Sequence, residues 1–416
     1  MEEKTSKSPW KCCTLCGKTE LSDFYSIRDV PVTCTSVFDT VAEATAIPRG
    51  NINLAICNAC FFVFNRSFDS QLGDLGARYE SSQSASPVFS KFSKSLACGW
   101  VEKYKLAGKH VIEIGCGSGE FLVDLLEFGV GRTTGIDPLT NGMQLTTKHQ
   151  NIKIIPELFD ERHLGIQADA LICRHTLEHI SDVNSFLGQL RKWAELNPDA
   201  VILIEIPDAE RIFAERAFWD IYYEHCNYFT AETVRFAFMH AGFEVLSVKR
   251  TYSDQYLLIE ATLRAECSTS SENPQQRNPH HEYQAFSLDV DRSIDSCEYA
   301  LAQLGTTSSP VIIWQGAAKT VGFLSRLNNP QTIGGAIDLS PQRQGRFLPG
   351  SGLAILKPDQ LLEIRPDHIV LMNPVYLAEV RAQISALGKE RDRPPTEVHS
   401  VNDLLDAALR VRWQTK

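Results

Sequence analysis

No stretch of this 416-residue chain approaches the roughly 18 consecutive apolar residues that a bilayer crossing needs. The opening Met1-Glu2-Glu3-Lys4-Thr5-Ser6-Lys7 has no apolar core behind a basic start, so it does not read as a secretory leader. A cytoplasmic protein with no membrane partner is expected. Positive charge is scarce as well: 41 basic residues stand against 51 acidic ones, for a net charge of −10. No lysine and arginine block is dense enough to suggest a nucleic-acid surface, so a small molecule is the expected partner. With 43% hydrophobic and 22% charged residues the chain reads as soluble and globular, long enough for about three domains, and a monomer is expected.

Twelve cysteines in a cytoplasmic setting call for metal or plain burial more than for disulfides. Cys98, Cys173, Cys267 and Cys297 are scattered, and Cys34 reads as a bystander. Cys13-Thr14-Leu15-Cys16 and Cys57-Asn58-Ala59-Cys60 are different: two C-x-x-C pairs with 40 residues between them. Each turn sets two thiolates on one side of a metal, and together they complete a closed tetrahedral shell, the pattern of a structural zinc ion. Cys12 can stand in for Cys13 as first ligand, although only Cys13 gives the two-residue spacer to Cys16. The segment from Lys18 to Ile56 has few long apolar runs and would draw much of its order from the metal. A redox pair is the other reading of C-x-x-C, but such pairs usually occur singly.

Val111-Ile112-Glu113-Ile114-Gly115-Cys116-Gly117-Ser118-Gly119-Glu120-Phe121 reads as a buried strand that breaks into a glycine turn and opens a helix. Alternating glycines let the backbone approach a ligand where side chains would collide. Asp137 follows Gly119 by 18 positions, at the end of a second strand-like run and just before Pro138. A glycine turn followed by a carboxylate for ribose hydroxyls suits an adenosyl group. The plain alternative is a tight strand–helix turn. The G-x-G-x-G spacing with Glu113 ahead of it resembles the first motif of class I S-adenosylmethionine-dependent methyltransferases, which implies cofactor contacts for Glu113, Gly115, Cys116, Gly117, Gly119, Asp137 and Pro138.

Strands and helices alternate beyond this point. Val111–Gly115, Thr134–Asp137, Ile152–Ile155, Ala168–Cys173 and Ala200–Ile206 read as buried parallel strands, and Phe243–Arg250 with Tyr256–Leu263 as an antiparallel edge. A helix-like tail over Phe89–Lys105 precedes them. This is the pattern of a parallel sheet covered on both faces, with ligands beyond the carboxyl ends of its strands. That rim collects the glycine turn, Asp137, Arg174–His179 and Glu205–Asp208. His175 and His179 stand four apart with Glu178 between them, but a metal there lacks a third ligand. The methyltransferase resemblance implies instead that Arg174 and His175 flank the methionine part of the cofactor.

Acid, imidazole and phenols crowd together in Phe218-Trp219-Asp220-Ile221-Tyr222-Tyr223-Glu224-His225-Cys226-Asn227-Tyr228-Phe229. Brought to the rim, His225 can act as general base, Glu224 can orient it or bind substrate, and Tyr222 can donate to a developing oxyanion. A helix entry with aromatic staples is the structural alternative, with Thr230 as its cap. The string resembles the Y-x-E-H-x-x-Y-F signature of sugar C-methyltransferases that act on nucleotide-linked 4-ketosugars. That family also begins with two C-x-x-C knuckles and carries a C-terminal string similar to Asp338-Leu339-Ser340-Pro341-Gln342-Arg343-Gln344-Gly345-Arg346-Phe347-Leu348-Pro349-Gly350. The resemblance implies catalytic roles for Tyr222, Glu224, His225 and Tyr79. The chain departs from it at Tyr223, where histidine is common, at Gln315 in place of glycine, and at Thr320 after Lys319.

The expected fold is therefore α/β. A four-cysteine zinc module (1–75) precedes a class I methyltransferase Rossmann-like sheet (76–266), a polar linker (267–281) and a C-terminal Rossmann-like α/β domain (282–416) for substrate. In the last part a helix over Glu282–Leu304 precedes strands at Val311–Gln315, Thr332–Asp338 and His368–Asn373. Lys319, Arg343 and Arg346 can pair with a diphosphate or carboxylate near the small-residue turn at Gly316. A docking domain with solvated basic residues is the alternative. The implied reaction is C-methylation beside a ketone from S-adenosylmethionine. O- or N-methylation of another small molecule, or a non-catalytic cofactor-binding scaffold, are the competing readings.

Overall fold

The computed structural model describes residues 10–72, 80, 82–140, 148–264, 280–306, 308–387 and 396–407. The N-terminal part is an antiparallel sheet of β1 (Leu21–Pro31), β2 (Arg49–Cys57) and β3 (Val63–Asn65). Its two C-x-x-C turns sit near where β1 begins and β2 ends, because Leu21 pairs with Cys57 across the sheet.

The central part is a seven-stranded sheet. Its members are β4 (His110–Ile114), β5 (Arg132–Ile136), β6 (Ile152–Ile155), β7 (Ala170–Arg174) and β8 (Val201–Pro207), followed after a short β9 (Asn227–Tyr228) by β10 (Phe243–Thr251) and β11 (Tyr256–Leu263). The spatial order is β6-β5-β4-β7-β8-β11-β10. The first five strands run parallel, while β11 is antiparallel to both β8 and β10. The strand segments Val111–Ile114 and Val201–Ile206, apolar except for Glu113 and Glu205, are buried on both faces, as strands under helices must be. Trp193, on the helix Val183–Leu196, is wholly buried against one face, a burial that favours folding by about 2–3 kcal/mol.

The helix Pro87–Tyr104 starts where capping chemistry dictates. Ser86 accepts from the Phe89 amide, Pro87 occupies the first turn, and Lys105 ends the helix in the left-handed region at φ 53°. The segment after β8 does not stay with the central sheet: β9 pairs with β3 and extends the N-terminal sheet. Residues 218–229 therefore bridge two sheets.

The C-terminal sheet is five-stranded and wholly parallel, in the order β14-β13-β12-β15-β16. Its strands are β12 (Val311–Trp314), β13 (Ile333–Ile337), β14 (Ile355–Leu356), β15 (His368–Leu371) and β16 (Glu397–Ser400). Most of the expected linker lies outside the described residues. The helix that follows begins at His280 and runs to Leu304, packing back onto β1, with Phe24 stacked on Tyr283 at 5.2 Å and Tyr25 edge-on to Phe286 at 5.3 Å. One apolar core thus joins Tyr25 and Ile27, Phe213 and Phe218, and Phe323 and Val370. Among the described residues no helix is long and apolar enough to cross a membrane.

Candidate active site

The glycine turn leaves β4 in a conformation that excludes other residues. Gly115 has φ 72°, and a Cβ there would fall 1.9 Å from the Thr176 hydroxyl oxygen. Gly117, at φ 53°, donates its amide to Asp137 Oδ2 at 2.8 Å, and the Leu139 amide donates to Oδ1 at 2.7 Å. These two bonds fix the carboxylate beside the turn with lone pairs to spare, while burial raises its pKa. Gly119, at φ 82°, starts the helix Glu120–Glu127. Cys116 is buried beneath the turn, and Pro138 lines the same wall.

Beyond β7 and β8 the rim carries charge. Arg174 Nε donates to Glu205 Oε2 at 2.6 Å, with its guanidinium 4.0 Å from the centre of the Phe121 ring. His175 takes φ 47° and lies edge-on to Tyr256 at 4.5 Å. Glu113 is buried, and desolvation pushes its pKa up to about 8 against the pull of Arg174. Among the described residues, Glu113 Oε2, Glu205 Oε1 and Arg174 Nη2 are buried without hydrogen-bond partners. Buried polar groups demand partners. Two carboxyl groups and one guanidinium donor are the complement of an amino acid's ammonium and carboxylate, so this rim fits the methionine end of an adenosyl cofactor.

Tyr222, Glu224 and His225 line the same cavity as the glycine turn, a space of about 1040 Å³ to which all three parts of the chain contribute. The volume is at the upper end for a single ligand and leaves room for a second molecule beside the first. Glu224 is buried and already engaged. It accepts from Thr33 Oγ1 at 3.0 Å, the Cys34 amide at 3.1 Å and Thr35 Oγ1 at 2.8 Å, and the Cys34 thiol also points at it. Cys34 is therefore no bystander, and Glu224 latches the loop after β1 onto the cavity.

His225 is buried, its ring 4.2 Å from that of Tyr222 and edge-on to His179 at 4.8 Å. Burial, then the neighbouring His179, His175 and Lys319, hold its pKa well below the usual histidine value, so the imidazole is neutral at physiological pH. Burial also drives the Tyr222 phenol well above its ordinary range, which keeps it a proton donor. Tyr223 also lines the cavity, but its hydroxyl is engaged: it accepts from the Asp69 amide at 2.8 Å, and its ring occupies the space over Gly50. Tyr79 lies outside the described residues.

The C-terminal cations are less free than their sequence suggests. Lys319 lines the cavity but pairs with Asp220, which Arg211 also holds at 2.6 Å. Arg343 is buried and donates to the carbonyls of Gly316, Thr35 and Glu80, pinning three parts of the chain together. Arg346 is not in the cavity wall; it is half-exposed and pairs with Asp39 at 3.3 Å. Gln315 adopts φ 105° and lines the cavity, its Oε1 buried with no partner among the described residues. Sequence reasoning missed the Thr33–Thr35 loop and the clamp of Gln255 with Asn373 and Tyr252 with Tyr376, each at 2.8 Å. Neither leaves a local pattern that a linear reading could detect.

Cys13, Cys16, Cys57 and Cys60 converge near the far edge of the N-terminal sheet. The Cys13–Cys60 and Cys16–Cys57 sulfurs are 3.7 and 3.6 Å apart. A tetrahedron with metal–sulfur bonds of about 2.3 Å has edges of about 3.8 Å, so the four sulfurs fit one ion and Cys13, not Cys12, completes the set. Cys57 and Cys60 share a core with Phe62, Phe64 and Phe229.

Comparisons with known proteins fall on the same two regions. Residues 89–248 match a methyltransferase domain family, and residues 259–393 match the C-methyltransferase C-terminal domain. The C-methyltransferase NovU of Streptomyces niveus is 23% identical over 393 residues, covering 88% of this chain and 90% of that protein. A ubiquinone biosynthesis O-methyltransferase of Rhodopseudomonas palustris is 26% identical over 124 residues, 28% of this chain and 44% of that protein. Among solved structures, magnesium protoporphyrin IX methyltransferase from Synechocystis with bound SAH has a TM-score of 0.34 and 17% identity, over 43% of this chain and 84% of that one. The strand order and the glycine turn, with the domain match, define a class I S-adenosylmethionine-dependent methyltransferase. The match to the C-terminal domain and the near full-length relative extend the likeness: over most of its length the chain is similar to a C-methyltransferase.

Proposed function

We propose that this enzyme transfers a methyl group from S-adenosylmethionine to a carbon beside a ketone, on a nucleotide-linked deoxy-ketosugar. The observation that carries the proposal is the shared cavity, lined by Gly115, Gly117 and Asp137 and also by Tyr222 and His225. When bound, the cofactor supplies an electrophilic methyl sulfonium, which leaves the protein to position reactants and move a proton. His225, neutral and buried, accepts the proton from the acceptor carbon. The electron pair of that C–H bond passes into the enolate, and Tyr222 stabilises the oxygen. Asp137 serves the ribose, while Glu113, Glu205 and Arg174 hold the amino-acid end. Glu224 keeps the Thr33–Thr35 loop in the wall, and the charges of Lys319 and Arg343 favour a diphosphate at the C-terminal side. Arg346, away from the cavity, is left out of that set.

In this reading the residues divide into a zinc module (1–75), a transferase part (76–266) and a C-terminal substrate part (282–416), and the four cysteines hold zinc in a purely structural role. The test is incubation of the holoenzyme with nucleoside-diphosphate 4-ketohexoses and isotopically labelled cofactor, read by mass. One label per sugar is expected, and His225→Ala and Tyr222→Phe should lose turnover while binding cofactor normally. Transfer to none of the ketosugars, or full turnover in both variants, contradicts the reading.

A further inference from the structure

The carboxylate one residue upstream of His225 is spent. Glu224 accepts from Thr33, Cys34 and Thr35, and Asp220 is held by Lys319 and Arg211. Among the described residues, another acid lies close to His225 without accepting a hydrogen bond. Glu178 sits in the turn after β7, is 2% exposed, and neither carboxylate oxygen has a hydrogen-bond partner among the described residues. One of its oxygens, a ring nitrogen of His179 and a ring nitrogen of His225 lie within 4.8 Å of one another. His175 Nδ1 approaches Glu178 Oε1 at 3.7 Å from the cofactor side.

We propose that Glu178, not Glu224, is the positioning residue that orients the His179–His225 pair and carries the counter-charge when His225 takes the acceptor's proton. This rests on the ketone chemistry proposed above. Breaking the C–H bond leaves its electron pair in the enolate and creates an imidazolium in a buried site. The groups facing that imidazolium are His179, His175, Lys319 and Tyr222, and three of them oppose positive charge there. Only a nearby anion offsets that cost, as the buried aspartate does for the histidine of a serine-protease triad. His179 is half-buried and lines the cavity, so it offers the proton a route outward once the methyl group has been transferred.

The test uses the full chain with Glu178→Gln and Glu178→Asp, with thermal unfolding and cofactor binding as checks of the fold. The first arm is NMR of nitrogen-15-labelled histidine, with resonances assigned through His225→Gln. Glu178→Gln should move the ring signals of His179 and His225. The second arm follows hydrogen–deuterium exchange at the acceptor carbon, with S-adenosylhomocysteine bound and a nucleoside-diphosphate 4-ketohexose as probe. Exchange should fall by about 10²-fold in Glu178→Gln and partly recover in Glu178→Asp, at unchanged cofactor affinity.

Unmoved ring signals, or wild-type exchange in Glu178→Gln, overturn the proposal. A wild-type enzyme that fails to exchange counts against the ketosugar acceptor, and the NMR arm still decides the role of Glu178. A divalent ion beyond the four-cysteine metal, present in the wild type and lost in Glu178→Gln, also overturns it and makes the trio a metal site.

Discussion

Glu113 links cofactor affinity to pH in a way that can be worked out from its surroundings. Its carboxyl is buried under the glycine turn, and desolvation raises its pKa to about 8. Below that pH the empty site holds a neutral acid, whereas the cofactor's ammonium is best held by a carboxylate. Binding must then expel a proton, and affinity is lost as pH falls. With an empty-site pKa near 8, about 1% of Glu113 is ionised at pH 6 and about 9% at pH 7, so Kd should tighten about ninefold across that interval. The window lies below the α-amino pKa of roughly 7.7–8.0, so the ligand's own charge stays constant. Isothermal calorimetry in buffers of different ionisation enthalpy should register nearly one proton released. Glu113→Gln should flatten the dependence and weaken binding roughly ten- to hundredfold at pH 8, the worth of a charged hydrogen bond. Any slope left in the variant reports Asp137, whose pKa burial also raises. A Kd that does not change between pH 6 and 7, with no proton released, refutes the reasoning.

Other consequences follow from particular contacts. Glu224→Ala removes the acceptor for Thr33, Cys34 and Thr35 and should cost about 3–5 kcal/mol in urea unfolding, whereas Thr35→Ala should cost only about 1 kcal/mol; equal losses would deny Glu224 its latch role. Gln315→Gly relieves a left-handed backbone at φ 105° and should stabilise by about 0.5–1 kcal/mol, with a fall in melting temperature showing that the side chain's packing outweighs the strain. If the four cysteines hold zinc as proposed, Cys57→Ser should lower the zinc content and destabilise the N-terminal sheet, because Cys57 pairs with Leu21 in the β1–β2 ladder; a variant that keeps a full equivalent of zinc would exclude that residue from the shell.

The central sheet was legible because its strands carry uninterrupted apolar runs such as Val201–Ile204 and Ala170–Cys173, which leave a trace in the chain. The glycine turn and Asp137 were legible for a related reason: their spacing is local, and backbone geometry dictates residue type at Gly115. The C-x-x-C pairs announced a four-sulfur cluster, and the fold brings together the Cys13 that their spacing favoured, not Cys12. What stayed hidden were partnerships across distant parts of the chain. Glu224 meets Thr33 across 191 positions, and Arg343 reaches Thr35 across 308. Such contacts carry no periodicity and no motif. They also explain why apparently free charges proved committed. Lys319 and Arg346 look alike in sequence as exposed cations, yet one is paired inside the cavity wall and the other outside it. Residues 227–228 read as the end of an aromatic segment, and nothing local signals that they extend the β1–β3 sheet.

The central claim is that the new bond is carbon to carbon. Supplying methyl-carbon-13 cofactor and a nucleoside-diphosphate 4-ketohexose, followed by carbon NMR of the product, reads that bond directly. The account predicts an aliphatic methyl signal correlated with the ring carbon beside the former ketone. A methoxy or N-methyl signal would contradict it.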